Sequence, residues 1–234
     1  MTAPGVTLPA PRRVRHVRRR ADAVVAAVGI TIVGLGMLAV RHGSVSGFEE
    51  RVFRAINDLP GALYPLLWPF QQFGNLVVAV VIAVALALLL RRWWVAGAVL
   101  VAAFLKLELE QVVKDVVERS RPETSIGDVH LRGDVSAAGL SFVSGHAVIT
   151  AAVAGLLTPI LPGRWRFVPW VVVALNGITR IYVGAHNPLD VVGGTALGLF
   201  IAGVLNAVLA AVRRPGQPSQ SKVSGSGPTL PSAP

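Results

Sequence analysis

The 234-residue chain contains no cysteine. That absence excludes a disulfide scaffold, a thiolate metal site and a cysteine nucleophile. Charge is also scarce: Asp, Glu, Lys and Arg make up 15% of the residues, where a soluble globular domain carries about 25%. Lysine is nearly missing, with three (Lys106, Lys114 and Lys222) among 22 basic residues. Acidic residues number only 12, which leaves a formal net charge of +10. What fills the chain instead is apolar, with 53% hydrophobic residues and a mean hydropathy of +0.62. So much apolar surface excludes a disordered protein. So few charges argue against one or two soluble domains. The composition points to an all-α integral membrane protein.

A spanning helix needs about 20 mostly apolar residues, because the hydrocarbon core is roughly 30 Å thick and a helix rises about 1.5 Å per residue. Six segments answer to this, at 23–40, 70–90, 93–113, 147–161, 167–185 and 189–212. The third carries Lys106, Glu108 and Glu110 in its second half. The first follows a basic stretch, as a signal peptide would. Its 18 uncharged residues exceed the roughly 7–15 of a signal core, and no small-x-small cleavage site follows, so a retained helix is expected. Between the first two spans, Phe48, Val52, Phe53 and Ile56 have amphipathic spacing and predict a short interfacial helix over 45–57.

Six crossings put both termini on one side of the membrane. That side collects six arginines before Ala21, then Arg91, Arg92, Arg164, Arg166, Arg213, Arg214 and Lys222. The other side holds Arg41, Arg51, Arg54, Lys114, Arg119, Arg121 and Arg132, outnumbered by Glu49, Glu50, Asp58, Asp115, Glu118, Glu123, Asp128 and Asp134. Basic loops stay inside, so the termini are expected in the cytoplasm and the loops at 41–69 and 114–145 outside. The chain then divides into a basic cytoplasmic tail at 1–20, a six-helix membrane domain at 21–212 and a Pro/Ser/Gly-rich disordered tail at 213–234. Six arginines before a span are what topology and anionic lipid select, so no nucleic-acid partner is expected.

Three clusters of reactive side chains fall on the outward side of this topology. Lys114 ends the third span and Arg121-Pro122 follows it; Ser144-Gly145-His146 opens the fourth; Arg180, His186 and Asp190 lie around the turn from the fifth to the sixth. Unpaired cations beside an apolar bundle are costly, and three together invite an oligoanion. Phosphate fits, since Arg offers a planar fork of donors and Lys a point charge. Ser144 adds a hydroxyl, and Gly145 admits an anion close to the first N–H groups of a helix. His146 and His186 supply a nucleophile and an acid, and Asp190, four residues beyond His186, can reach its Nδ1. Singly, each residue is also explained as a polar cap, a snorkelling arginine or an ion pair. His16, His42 and His130 have no such company and read as surface residues.

In these clusters the sequence resembles the type 2 phosphatidic acid phosphatase superfamily, which also includes vanadium haloperoxidases. The pattern K-x6-R-P is met by Lys114 to Pro122. P-S-G-H occurs as Val143-Ser144-Gly145-His146, and S-R-x5-H-x3-D as Thr179-Arg180, His186 and Asp190. Val143 in place of proline removes a fixed φ, and Thr179 in place of serine keeps a hydroxyl.

The resemblance implies a lipid phosphatase in which His186 attacks phosphorus to form a phosphohistidine, supported by Asp190. His146 serves the leaving oxygen and then water. Lys114, Arg121, Ser144, Gly145 and Arg180 hold the phosphoryl oxygens. It implies no metal and no other cofactor, and a lipid phosphate drawn from the bilayer as the partner: phosphatidic acid, phosphatidylglycerol phosphate or a polyprenyl phosphate or diphosphate. An outward site favours a polyprenyl diphosphate carrier. Transfer of phosphate between lipids, or phospholipid binding without catalysis, are the alternatives. Glu110, spaced i, i+4 from both Lys106 and Lys114, reads either as a structural ion pair or as a residue that positions Lys114.

Overall fold

The computed structural model describes the backbone of residues 12–212 and side chains from Arg20 onward; the predicted C-terminal tail lies outside the described residues. Helix α1 (Arg12–Val40) starts inside the basic stretch, because arginine is a good helix former and nothing breaks the run. α2 (Gly47–Asn57) is a helix where the spacing predicts one. Ser46 caps it by accepting from the Glu49 N–H at 3.2 Å, and Glu49 and Glu50 suit the positive end of its dipole. The second apolar segment, expected at 70–90, starts earlier and is broken: α3 (Tyr64–Gln72), entered through a tight turn at Gly61–Leu63, meets α4 (Leu76–Leu89) at a bend of 59°. Asn75 makes the restart by accepting from the N–H groups of Val77 and Val78 at 3.0 and 3.3 Å.

α5 (Trp93–Val117) ends where Glu118 turns left-handed at φ 50°. Then come the single turn α6 (Pro122–Ser125), α7 (Gly145–Leu157), α8 (Val168–Tyr182) and α9 (Pro188–Val212). Among the described residues, the stretches Arg20–Val40 and Pro188–Val212 are long and apolar enough to cross a membrane, and α3 with α4 makes a third if the bent pair is one span. α7, at 13 residues, is only about 20 Å long.

α9 lies between α1 and α7, and glycine lets these backbones close up. A Cβ on Gly29 of α1 would sit 2.6 Å from the Ala196 carbonyl, and one on Gly198 would sit 2.7 Å from Ala151 Cβ on α7. Around this contact Val33, Val99, Val148, Leu156, Leu197 and Ile201 form the buried core. The outside is equally apolar, with Leu35, Val77, Leu89, Phe104 and Val116 exposed, as lipid-facing surfaces require.

One end of the bundle is closed by α2, the 118–144 loop and the 183–187 turn. Asn57 donates to the carbonyls of His130 and Tyr182, both at 3.0 Å, and accepts from the His130 N–H at 2.9 Å. Arg132 lies over the Tyr182 ring, 4.2 Å from its centre, and donates to the Tyr182 carbonyl at 2.6 Å. An isolated antiparallel bridge between Ser120 and Leu140 folds the loop back on itself. That fold returns Arg119 and Arg121 to the mouth of the bundle.

Candidate active site

His186 sits in the turn between α8 and α9 and is 3% exposed. Its Nδ1 lies 3.0 Å from the carbonyl oxygen of Ser141. A carbonyl only accepts, so Nδ1 carries the hydrogen and Nε2 keeps its lone pair. Burial pushes the imidazole well below its ordinary pKa, and the charges of Arg180, Arg121 and Lys114 push the same way. The ring is therefore a neutral base surrounded by cations.

Asp190 approaches that ring less directly than the i, i+4 spacing suggests. Its Oδ2 is 3.9 Å from Nδ1, beyond hydrogen-bond range. The same oxygen accepts instead from the Ser141 hydroxyl and from the Asn187 N–H at 2.7 Å. The Ser141 hydroxyl is itself 3.4 Å from Nδ1 and so stands between carboxylate and imidazole. The other oxygen, Oδ1, is bound by Arg119 Nη1 at 2.8 Å.

The phosphate-holding candidates arrive from four elements. Ser144 precedes α7, and its N–H donates to the Asp190 carbonyl at 2.9 Å. Its hydroxyl is buried without a hydrogen-bond partner. Arg180, on the last turn of α8, is 6% exposed and its Nε is unbonded. Arg121 leaves its Nε in the same condition while Nη1 donates to the Ser136 carbonyl at 2.9 Å. Buried, unanswered donors are uncommon in folded proteins, and here they belong to cations and a hydroxyl around one histidine. Such an arrangement is chemically fit to bind an oligoanion.

Lys114 completes the set from α5. Glu110 holds it at 2.5 Å and holds Lys106 at 2.6 Å, so the predicted ladder is formed. The Glu110 carboxylate also packs where a Cβ on Gly145 would lie, so the start of α7 needs glycine. His146 is wedged beneath the bend between α3 and α4: a Cβ on Gly74 would lie 2.6 Å from its ring. Thr150 bonds the His146 carbonyl and, at 3.2 Å, Asn176, which donates to the Phe70 carbonyl at 2.8 Å. The eight candidates His186, His146, Asp190, Lys114, Arg121, Ser144, Gly145 and Arg180 thus share one end of the bundle. His130 is exposed and His42 bonds only to Arg41 among the described side chains, as expected of surface residues.

Three participants escaped the sequence reading. Ser141 fixes the tautomer of His186. Arg119, which reads as one loop charge among several, is fully buried between Asp190 and Glu49. Glu49 stands i, i+4 from Phe53 and i, i+7 from Ile56, within the apolar face of α2, and is 3% exposed. That spacing marks Glu49 as an inward charge, but about 70 positions separate it from Arg119, so no local pattern names its partner.

Residues 91–214, which enclose Lys114 through Asp190, match the PAP2 superfamily. The chain belongs to that family. It is 34% identical over 160 residues to the decaprenylphosphoryl-5-phosphoribose phosphatase of Mycobacterium tuberculosis, covering 66% of this chain and 84% of the relative. It is 32% identical over 161 residues to an undecaprenyl-diphosphatase of Sulfolobus acidocaldarius, covering 67% and 76%. Among solved structures, the PAP2-type phosphatidylglycerolphosphate phosphatase of Bacillus subtilis superposes with a TM-score of 0.63 at 23% identity, over 80% of this chain and 98% of that one. Aquifex aeolicus LpxE gives 0.60 at 22% identity, over 71% and 96%. The two structures share the fold of this PAP2 chain. The family and its phosphatase relatives make the chain a phosphatase, and its apolar helices make it a membrane protein.

Proposed function

We propose that the protein hydrolyses the phosphomonoester or diphosphate of a membrane lipid, with a polyprenyl carrier as the preferred class, through a phosphohistidine on His186. The observation that carries this reading is the set of buried, unbonded donors, Arg180 Nε, Arg121 Nε and Ser144 Oγ, around a neutral imidazole with Nε2 free. Two relatives in the same family are named for polyprenyl-linked phosphates, which supports the carrier class. The charge asymmetry of the loops supports six crossings with cytoplasmic termini and a site at the outer leaflet of the cell membrane.

In the first step Nε2 of His186 donates its lone pair to phosphorus, opposite the bridging oxygen. The P–O bond to that oxygen breaks, and His146, which takes up a proton as the phosphate dianion settles beside it, gives that proton to the oxygen. Arg180, Arg121, Lys114, Ser144 and the Gly145 N–H hold the three equatorial oxygens as negative charge spreads over them. In the second step His146, now neutral, takes a proton from water. The hydroxide attacks phosphorus, the P–N bond breaks and inorganic phosphate leaves. Side-chain cations supply the charge stabilisation, so the reaction runs without metal.

The test is phosphate release by the purified full chain, in EDTA, from phosphatidic acid, phosphatidylglycerol phosphate and polyprenyl phosphate and diphosphate. Wild type should act on the polyprenyl substrates, and protein denatured in alkali should carry phosphate that is released on acidification. His186→Ala should abolish both signals. Equal activity in that variant would remove His186 from the chemistry, and silence across the panel would favour a lipid-binding protein.

A further inference from the structure

Arg119 has no place in the chemistry above, yet it is fully buried and spans two carboxylates. Nη2 binds Glu49 Oε2 at 2.7 Å and Nη1 binds Asp190 Oδ1 at 2.8 Å; Nη1 also lies 3.1 Å from Glu49 Oε1. Its backbone carbonyl accepts from the Ser141 N–H at 2.7 Å. One residue therefore grips both groups that face Nδ1 of His186: Asp190 through its side chain and Ser141 through its main chain. Glu49 fastens the other end. Its Oε1 accepts from the Leu189 N–H at 2.9 Å and so caps the start of α9 from α2.

A guanidinium is suited to this task because its planar fork answers two carboxylates at fixed angles, which an ammonium cannot do. Burial alone would lower the pKa of Arg119, but the bond to Glu49 and the charges of Asp190 and Glu49 outweigh it and raise the value. The cation is thus permanent.

We propose that Arg119 and Glu49 are positioning residues for the nucleophile. Together they lock Asp190 and the Ser141 carbonyl so that His186 presents Nε2 to the phosphoryl group. This rests on the phosphatase reading of the same site. It also ties α2, the helix expected at the membrane surface, to the reacting histidine through a chain of charged contacts.

The experiment uses the full-length protein in lipid nanodiscs with whichever lipid phosphate the wild type hydrolyses. Wild-type activity and its loss in His186→Ala are checked first; failure there counts against the phosphatase reading itself. Glu49→Gln, Arg119→Met and Arg119→Lys are then compared for kcat, KM, competitive inhibition by inorganic phosphate and thermal stability. The expected result is a kcat at least tenfold lower in Glu49→Gln and Arg119→Met. KM and the phosphate inhibition constant stay within threefold, because the phosphate-holding side chains are untouched. Arg119→Lys should recover part of the kcat. Glu49→Gln is nearly isosteric and decides the matter if Arg119→Met does not fold. Unchanged kcat in folded Glu49→Gln would overturn the proposal. So would a fall in kcat matched by equal weakening of phosphate binding, since that would place the two residues in the phosphate site.

Discussion

At the residue scale the decisive feature is that His186 is kept neutral. Burial first, and then the neighbouring cations, depress its pKa below the ordinary value. In the unfolded chain the same ring gains a proton as pH falls through about 6.5. The unfolded state then binds more protons than the native one, so stability is lost as pH drops below that point, by up to about 1.4 kcal/mol per pH unit for this group. Thermal denaturation in detergent between pH 8 and 5 should show Tm falling toward acid, with a shallower fall in His186→Asn. Parallel slopes would mean that the native ring is protonated like the unfolded one. Glu110 is the second residue to probe. A charge-assisted bond to Lys114 is worth roughly 1.5–3 kcal/mol, so Glu110→Gln should slow phosphate release about tenfold or more. An unchanged rate would leave Glu110 as a structural counter-ion only.

At the element scale the site depends on how helices end and bend rather than on their interiors. The break between α3 and α4 brings Gly74 against His146 and Asn176, with a Cβ there 2.6 Å from Asn176 Nδ2 and from the His146 ring. Gly74→Ala must push the bend outward or rotate His146, at a cost of about 1–3 kcal/mol for overpacking. The expected outcome is a lower Tm together with at least a tenfold loss of turnover in the lipid phosphate assay. A variant with wild-type Tm and rate would show that the bend has room to spare. α2 is legible in the sequence as an amphipathic helix with Glu49 on the same face as Phe53, but the partner of that carboxylate is not. Glu49 is charged, sits beside Glu50, and only the return of the 118–144 loop puts a buried arginine against it.

For the whole molecule, the proposed topology makes a prediction that the lack of cysteine renders clean to test. Asp134 lies in the 118–144 loop at the site end, and Arg166 lies in the turn before α8; both are exposed. Single substitutions Asp134→Cys and Arg166→Cys introduce the sole thiol in each protein. A membrane-impermeant maleimide applied to intact cells should label Asp134→Cys and leave Arg166→Cys unlabelled until the cells are opened. The reverse pattern would place the site in the cytoplasm.

Hydropathy marked out the apolar helices, because exclusion of charge from hydrocarbon is a local property of the chain, but not every boundary: the second helix pair starts before residue 70 and α7 ends at Leu157. The interfacial helix, the i, i+4 ladder from Lys106 to Lys114 and the three reactive clusters are local in the same sense. The break at Gly74 is less visible, since a bent apolar run and a straight one have the same composition. What surrounds His186 was decided only by tertiary structure. The i, i+4 spacing brings Asp190 near the ring, but the Ser141 carbonyl takes the Nδ1 hydrogen and Arg119 takes the carboxylate. Those partners come from loops and helices far apart in sequence. A buried charge must find its counter-charge wherever the packed backbone supplies one, and no periodicity along the chain records which one that is.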